Sequence, residues 1–324
     1  MRSPRVLLVN DDGPPSDSSP YILEVYQQLI SLGWDVRVVI PSSQKSCYYP
    51  LRDNYLGAHP DTRHCWSHER RPIQKERGEI GEWVLVDGVP STCTNVGLYT
   101  GDALFGPDGA GPIDLVISGP NYGRNTGTAF SVSSGTLGAA LSGSLCDVRS
   151  IAVSFCHFKT NPPTLDGRRE GPGLTPEVFK ELSILACTYT LRLCKQLWET
   201  WDQDEHVQSY SINIPIAETL RRPVVHWTRI WHSRHGQYYP LPSSGAEDWG
   251  VMPSGIEPKD LPDEDPACAY LAFHPNLVRA MEPAVIEPGT DVWAITQGAI
   301  SISRLVACFE QVDAGSRPVP SCVV

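Results

Sequence analysis

Apolar and polar positions change rhythm several times along the chain. Val6-Leu7-Leu8-Val9 is an unbroken apolar run behind Arg5, the pattern of a strand buried on both faces, and predicts a strand over Arg5–Val9. Asp35–Ile40 predicts a second. Between them Ile22, Val25, Leu29 and Leu32 recur at helical spacing. Ser19 is the expected N-cap of that helix, Pro20 its first residue and Gly33 its stop. Such a β-α-β unit makes its two strands parallel, with a right-handed crossover. Trp83–Val86, Leu115–Ser118 and Ile151–Phe155 read as further buried strands. Between the last two lies a small-residue helix from Gly135 to Leu145, with Leu137, Ala140, Leu141 and Leu145 as its stripe. This layout predicts an α/β fold, a doubly wound, mostly parallel Rossmann-like sheet with a β-rich C-terminal extension.

Elsewhere the rhythm is weaker. Pro50 to Gly81 shows no clear period, and the basic run Glu69–Arg77 within it, diluted by two acids, reads as a solvated loop. Asn161 to Gly173 reads as a linker, and Thr175-Pro176 opens a long helix reaching about Leu197. Beyond it, Ser209–Ile214, Val224–Ile230, Asp291–Thr296 and Ala299–Leu305 read as strands, and Leu241 to Pro266 as loop. Val224–Tyr239 is hairpin-like and rich in aromatics, the mark of an interface. The length of 324 residues exceeds the roughly 250–300 at which one core stops growing. The expected organisation is a core over residues 1–160, with linker, long helix, remaining strands and an oligomerisation arm over 161–324.

Composition narrows the function. With 26 basic and 37 acidic residues the net charge is −11, which excludes a general pull on nucleic acid or anionic membranes. Positive charge for handling phosphate would have to be local, such as a metal ion. The ten cysteines contain no C-x-x-C pair, and no apolar run approaches the ~18 of a membrane span. The expectation is a soluble, cytoplasmic protein.

Four polar clusters follow strands, where ligands gather in doubly wound sheets. Asn10-Asp11-Asp12-Gly13 places two carboxylates side by side, either as a divalent-cation site or as an Asx turn. Ser118-Gly-Pro-Asn121-Tyr-Gly-Arg-Asn125-Thr-Gly127 combines glycines with two neutral amides, or is an ordinary turn. Ser133-Ser134-Gly135-Thr136 opens a helix, either as an anion cradle or as a plain cap. Pro41–Ser46 is a strand-end ligand loop or a polar turn. Together they describe metal-assisted phosphoryl chemistry. G-x-x-x-x-G-K-[ST], G-x-G-x-x-G and G-x-S-x-G are all missing.

Val9-Asn-Asp-Asp-Gly13, Pro41 with Ser46, Ser118-Gly-Pro-Asn-Tyr-Gly-Arg-Asn125, Ser134-Gly-Thr136 and Val86-Asp-Gly-Val-Pro90 together resemble the survival protein SurE phosphatases. The resemblance covers roughly residues 5–155 and returns near Ser211–Pro215 and Asp291–Leu305. It implies a divalent-metal phosphatase (Mg²⁺ or Mn²⁺) acting on nucleoside monophosphates or other phosphomonoesters, as a 5′/3′-nucleotidase. By position Asp11, Asp12, Ser46 and Asn121 match the family's metal ligands, and Asn125, Ser134, Gly135 and Thr136 its phosphate-side residues. It also implies a homodimer or higher homo-oligomer. Pro14–Ser19 after Gly13, Cys47-Tyr48 after Ser46, Val89 and Thr92 depart from the usual pattern. The first of these resembles a eukaryotic, fungal branch.

Two other readings compete: a receiver-like Mg²⁺-binding signalling module and a non-catalytic nucleotide-binding member of the family. None of the nine histidines falls in the four clusters, and Gly13 rather than Asp stands two residues after Asp11. The expected mechanism is therefore attack by a metal-activated water, with Asp11 or Asp12 as the catalytic carboxylate.

Overall fold

Strand β1 (Arg5–Val9) lies at the middle of the molecule because both of its faces are apolar. Val6 and Leu8 point into one hydrophobic cluster, Leu7 and Val9 into another, as the period of two along a strand requires. The computed structural model describes residues 3–44, 53–58, 65–67, 73–106, 111–158, 174–201, 206–234 and 286–309. Among these, ten strands form one sheet in the order β4-β3-β5-β2-β1-β6-β7-β8-β10-β9. The strands are β2 (Asp35–Pro41), β3 (Asp53–Ala58), β4 (Cys65–Ser67), β5 (Gly81–Val86), β6 (Leu115–Tyr122), β7 (Arg149–Cys156), β8 (Ser209–Pro215), β9 (Val225–Thr228) and β10 (Ile300–Leu305). From β5 to β8 all neighbours are parallel, and β3 and β10 pair antiparallel at the two flanks. The sheet is α/β and mostly parallel, with an antiparallel C-terminal addition.

Helices cover both faces. On one side lie α1 (Ile22–Ser31) and the long helix α6 (Pro176–Thr200), whose buried Leu182, Ala186, Leu191 and Leu197 share a core with Val6 and Leu8. On the other lie α2 (Pro90–Tyr99) and α5 (Gly135–Leu145), which pack on each other. Short helices α3 (Gly101–Phe105), α4 (Gly127–Ser133) and α7 (Asp291–Thr296) complete the set. No helix among the described residues is long and apolar enough to cross a membrane.

The chain runs from β1 outward to β2 and β5, then returns to build β6, β7 and β8 on the other side. The strand order therefore reverses between β1 and β6. In open α/β sheets the crevice at that reversal is where ligands bind.

Several sequence expectations are corrected. Asp291–Thr296 is a helix, not a strand: Thr290 caps it by accepting from Trp293 N at 3.3 Å, and Gly298 follows in the left-handed region. Helix α1 begins at Ile22 with Tyr21 as N-cap, and Ser19 is engaged elsewhere. The stretch 50–81, to which the sequence assigned no strand, contributes β3 and β4 beside β5. Val224–Tyr239 does not fold back on itself over its described part: β9 pairs in parallel with β10. Residues 235–239, the linker Asn161–Gly173 and the loop 241–266 lie outside the described residues. Strand β6 runs past Ser118 to Tyr122, with a register shift between Ser118 and Asn121 where Gly119 and Pro120 intervene.

Candidate active site

The turn after β1 is built by its own polar groups. Buried Asn10 donates from Nδ2 to Gly13 O at 2.7 Å and accepts from Gly13 N at 3.1 Å. The Ser19 hydroxyl donates to the same carbonyl at 2.8 Å and accepts from Asn10 Nδ2 at 3.2 Å. Ser19 thus staples the turn instead of capping α1, and the turn holds Asp11 and Asp12 side by side at the reversal point.

Each carboxylate is then oriented by a different neighbour. Thr136 Oγ1 donates to Asp11 Oδ1 at 2.8 Å, and the Thr136 backbone N–H adds to its hold. Asp11 therefore occupies the start of α5, the anion cradle expected from Ser134-Gly135-Thr136, with a carboxylate of the protein itself. The approach is close. A Cβ at Gly135 would stand 3.0 Å from Asp11 Cβ and 3.1 Å from Asp11 Oδ2, so any side chain there displaces the acid. Ser134 is the N-cap of α5, its hydroxyl accepting from Leu137 N at 3.0 Å. Asp12 Oδ2 accepts the Tyr122 backbone N–H at 2.7 Å, and Gln44 donates to the same carboxyl group.

The electrostatics are unfavourable for two bare anions. Burial raises the Asp11 carboxyl above its ordinary range, against the pull of Thr136. Burial, then repulsion by Asp11, pushes Asp12 up to about 7. Asp12 is only 4% exposed, so water does little to relieve that cost.

Of the other expected ligands, Asn121 lies at the end of β6 beside the N–H that binds Asp12. Its Nδ2 donates to Gly123 O at 2.9 Å. Ser46 lies outside the described residues. Asn125 is buried in a polar net. Its backbone N donates to Asn213 Oδ1 at 3.0 Å and its Nδ2 to Ser154 Oγ at 2.9 Å. One hydrogen of that amide is thus held within the protein.

Two groups escaped the sequence reading. The first is a brace on the opening turn of α4. The Asp291 carboxylate accepts Gly127 N at 2.8 Å, Trp231 N at 2.9 Å and Val292 N at 2.7 Å. Ser233 Oγ accepts Ala129 N at 2.8 Å, and Trp231 O accepts Thr128 N at 2.8 Å. Gly127 sits at φ +73°, and a Cβ there would stand 2.7 Å from Ser233 Oγ. The second is a histidine. His157 follows β7, its Nε2 3.1 Å from the Tyr21 hydroxyl and its ring 4.5 Å from that of Tyr122. Burial pushes it down to about 4, so it is neutral at neutral pH.

A doubly wound sheet with paired acids at its reversal point defines an α/β protein with a ligand site at its strand ends. The comparisons then place it. The sequence profile of the survival protein SurE family matches residues 6–237, and the chain belongs to that family. It is 31% identical over 275 residues to "Probable tubulin--tyrosine ligase PBY1" of Saccharomyces cerevisiae, covering 75% of this chain and 34% of that protein. To "5'-nucleotidase SurE" of Desulfitobacterium hafniense it is 35% identical over 154 residues, covering 47% of this chain and 51% of the relative. The corresponding protein of Methanocella arvoryzae is 29% identical over 228 residues, with 68% and 70% covered. The chain thus spans between a third and about half the length of the first two relatives. Among solved structures, the SurE protein from Aquifex aeolicus shares the fold with a TM-score of 0.57 at 20% identity, covering 95% of each chain.

Proposed function

We propose that this chain is a divalent-metal-dependent phosphomonoester hydrolase acting on nucleoside monophosphates. The observation that carries the proposal is the pair of adjacent buried carboxylates, Asp11 and Asp12, oriented by Thr136 and by the Tyr122 N–H at the sheet's reversal point. Relatives named 5′-nucleotidases support the substrate class.

The donor set fits a small, hard cation. Burial and mutual repulsion both oppose two negative charges here, and a divalent ion offsets that cost. Among the described residues no three His, Cys, Asp or Glu side chains cluster as metal ligands. Such an ion would rest on Asp11 and Asp12 with neutral oxygens, Asn121 and Ser46 in this reading, as Mg²⁺ or Mn²⁺ does. When bound, it supplies Lewis acidity and charge neutralisation at a phosphoryl oxygen.

The protein's own groups do the rest. The Ser134 hydroxyl accepts from Leu137 N and keeps its hydrogen for an anion at the start of α5. Asn125 keeps its second amide hydrogen for a phosphate oxygen, while Ser154 fixes the first. Gly135, without a side chain, lets Asp11 lie against the start of α5. Asp11 or Asp12 takes the proton of the attacking water at a carboxylate oxygen. Phosphate release from AMP by the purified chain, with Mg²⁺ or Mn²⁺ and then with EDTA, tests the reading. Metal-restored turnover is expected; undiminished turnover in EDTA overturns it.

A further inference from the structure

Tyr122 is the residue whose backbone N–H holds Asp12 Oδ2 at 2.7 Å, yet its side chain is 45% exposed. The ring does not hang free. It rests on His157 with centroids 4.5 Å apart and on Tyr21 at 5.8 Å. Those two rings are fixed in turn: Tyr21 and His157 are stacked at an interplanar angle of 13° and joined by a 3.1 Å hydrogen bond. Phe155 backs Tyr21 at 4.8 Å, and Phe179 of α6 backs His157 at 5.5 Å. Five rings from four parts of the chain therefore form a packed aromatic block with one member facing solvent. That member belongs to the residue whose backbone N–H binds Asp12.

An isolated surface tyrosine needs no explanation. A backed one on the residue that binds Asp12 does, because a rigid ring loses little entropy when another ring stacks on it. The block also suits one kind of guest. Its histidine is neutral at neutral pH, so the platform is uncharged and electron-rich, and a neutral planar heterocycle stacks on it without desolvating an ion. The carboxylates beside it would repel a second anionic group and tolerate an uncharged one.

We propose that the Tyr122 ring, backed by His157 and Tyr21, is the stacking platform for the nucleobase of a nucleoside monophosphate whose phosphate lies at Asp11 and Asp12. This rests on the function proposed above and adds how the leaving group is chosen. Stacking on an aromatic ring discriminates by the presence of a base, with little preference among bases.

The test is a selectivity ratio, kcat/KM for AMP over kcat/KM for ribose 5-phosphate, which lacks the base. Wild type is expected to favour AMP. Tyr122→Ala is expected to lower the ratio at least about tenfold, and Tyr122→Phe, which keeps the ring, to preserve it. An unchanged ratio in Tyr122→Ala, or an equal fall in Tyr122→Phe, overturns the platform. Should the chain hydrolyse neither compound, the function above fails separately, and calorimetric binding decides the platform. AMP bound more tightly than ribose 5-phosphate by wild type but not by Tyr122→Ala supports it. Equal affinities in wild type overturn it.

Discussion

Replacing Asp12 by Asn should make the metal-free protein more stable while destroying its activity. The reasoning starts from burial. Asp12 is 4% exposed and lies beside Asp11, so its carboxyl is raised from an ordinary 3.8 to about 7. That difference corresponds to roughly 4 kcal/mol against the ionised form. Asn keeps the shape and can still accept the Tyr122 N–H, and the raised value already contains what that N–H gives the ionised form. The gain is therefore roughly 4 kcal/mol. For 324 residues at roughly 2.1 cal/mol/K each, that raises Tm by about 6 °C. The pH dependence has a definite sign. A carboxyl whose folded pKa is raised binds its proton in the folded state while the unfolded chain has lost it. The wild type therefore loses stability as pH rises from about 4 to 7, and the advantage of Asn is small at pH 4 and full above 7. Saturating Mn²⁺ should reverse the order, because binding stabilises only the chain that has both acids. Calorimetry of both proteins in EDTA at pH 4.5 and 8, repeated with Mn²⁺, measures each part. A destabilised Asp12→Asn in EDTA at pH 8, or an advantage that ignores pH, refutes the account.

Thr136→Val removes the hydroxyl that holds Asp11 Oδ1, a hydrogen bond to a charged group, and should lower kcat roughly ten- to hundredfold with little change in Tm; unaltered kcat would make the hydroxyl a bystander. Asp291→Asn leaves one of three backbone N–H groups facing an amide donor. It should lower kcat for AMP and ribose 5-phosphate by the same factor and cost about 1–3 kcal/mol of stability; a change in the ratio of the two would contradict a purely positioning role. Among the described residues strand β9 ends the sheet with Val225 and Trp227 exposed, and an apolar edge of that kind favours pairing. Light scattering at micromolar concentration should give at least twice 35.6 kDa, and a monomeric mass would refute it.

What could be read in the sequence follows the range of the interactions. Asp11 and Asp12 are legible because adjacency is itself the signal, and the strand before them is an unbroken apolar run. The central strands are legible for the same reason. Thr136 is visible as part of a helix start, but its hydroxyl serves Asp11, a partner no local pattern announces. Ser19 has a capping residue's chemistry and uses it on Gly13 O, because a buried turn competes for the same hydroxyl. Asp291–Thr296 looks like a strand because Val292, Trp293 and Ile295 favour strands. Thr290 before the run and Gly298 after it are the cap and stop that identify a helix. The aromatic block is invisible at sequence level, since Tyr21, Tyr122, Phe155, His157 and Phe179 meet only when α1, β6, β7 and α6 are packed.

The paired acids belong to the first half of the chain, but the loop beside them is completed by the second. Asn125 N is held by Asn213 of β8, Gly127 N by Asp291, Thr128 N by Trp231 O and Ala129 N by Ser233. These backbone donors are buried or nearly so, and each would cost about 1–3 kcal/mol if left without an acceptor. Residues 1–160 alone would carry all four such debts at the loop that leads from Asn121 to Ser134. Asp291 lies beyond the 6–237 stretch that matches the family profile, yet it fastens the first residue of α4. The division of labour therefore runs across the sheet. Strands β1 and β6 with helix α5 present the charged and hydroxyl groups, and β8, the turn at Trp231–Ser233 and α7 keep the loop between them in place. A substitution in the C-terminal half can silence the chemistry without touching a group that takes part in it, and its signature is a uniform loss over all substrates.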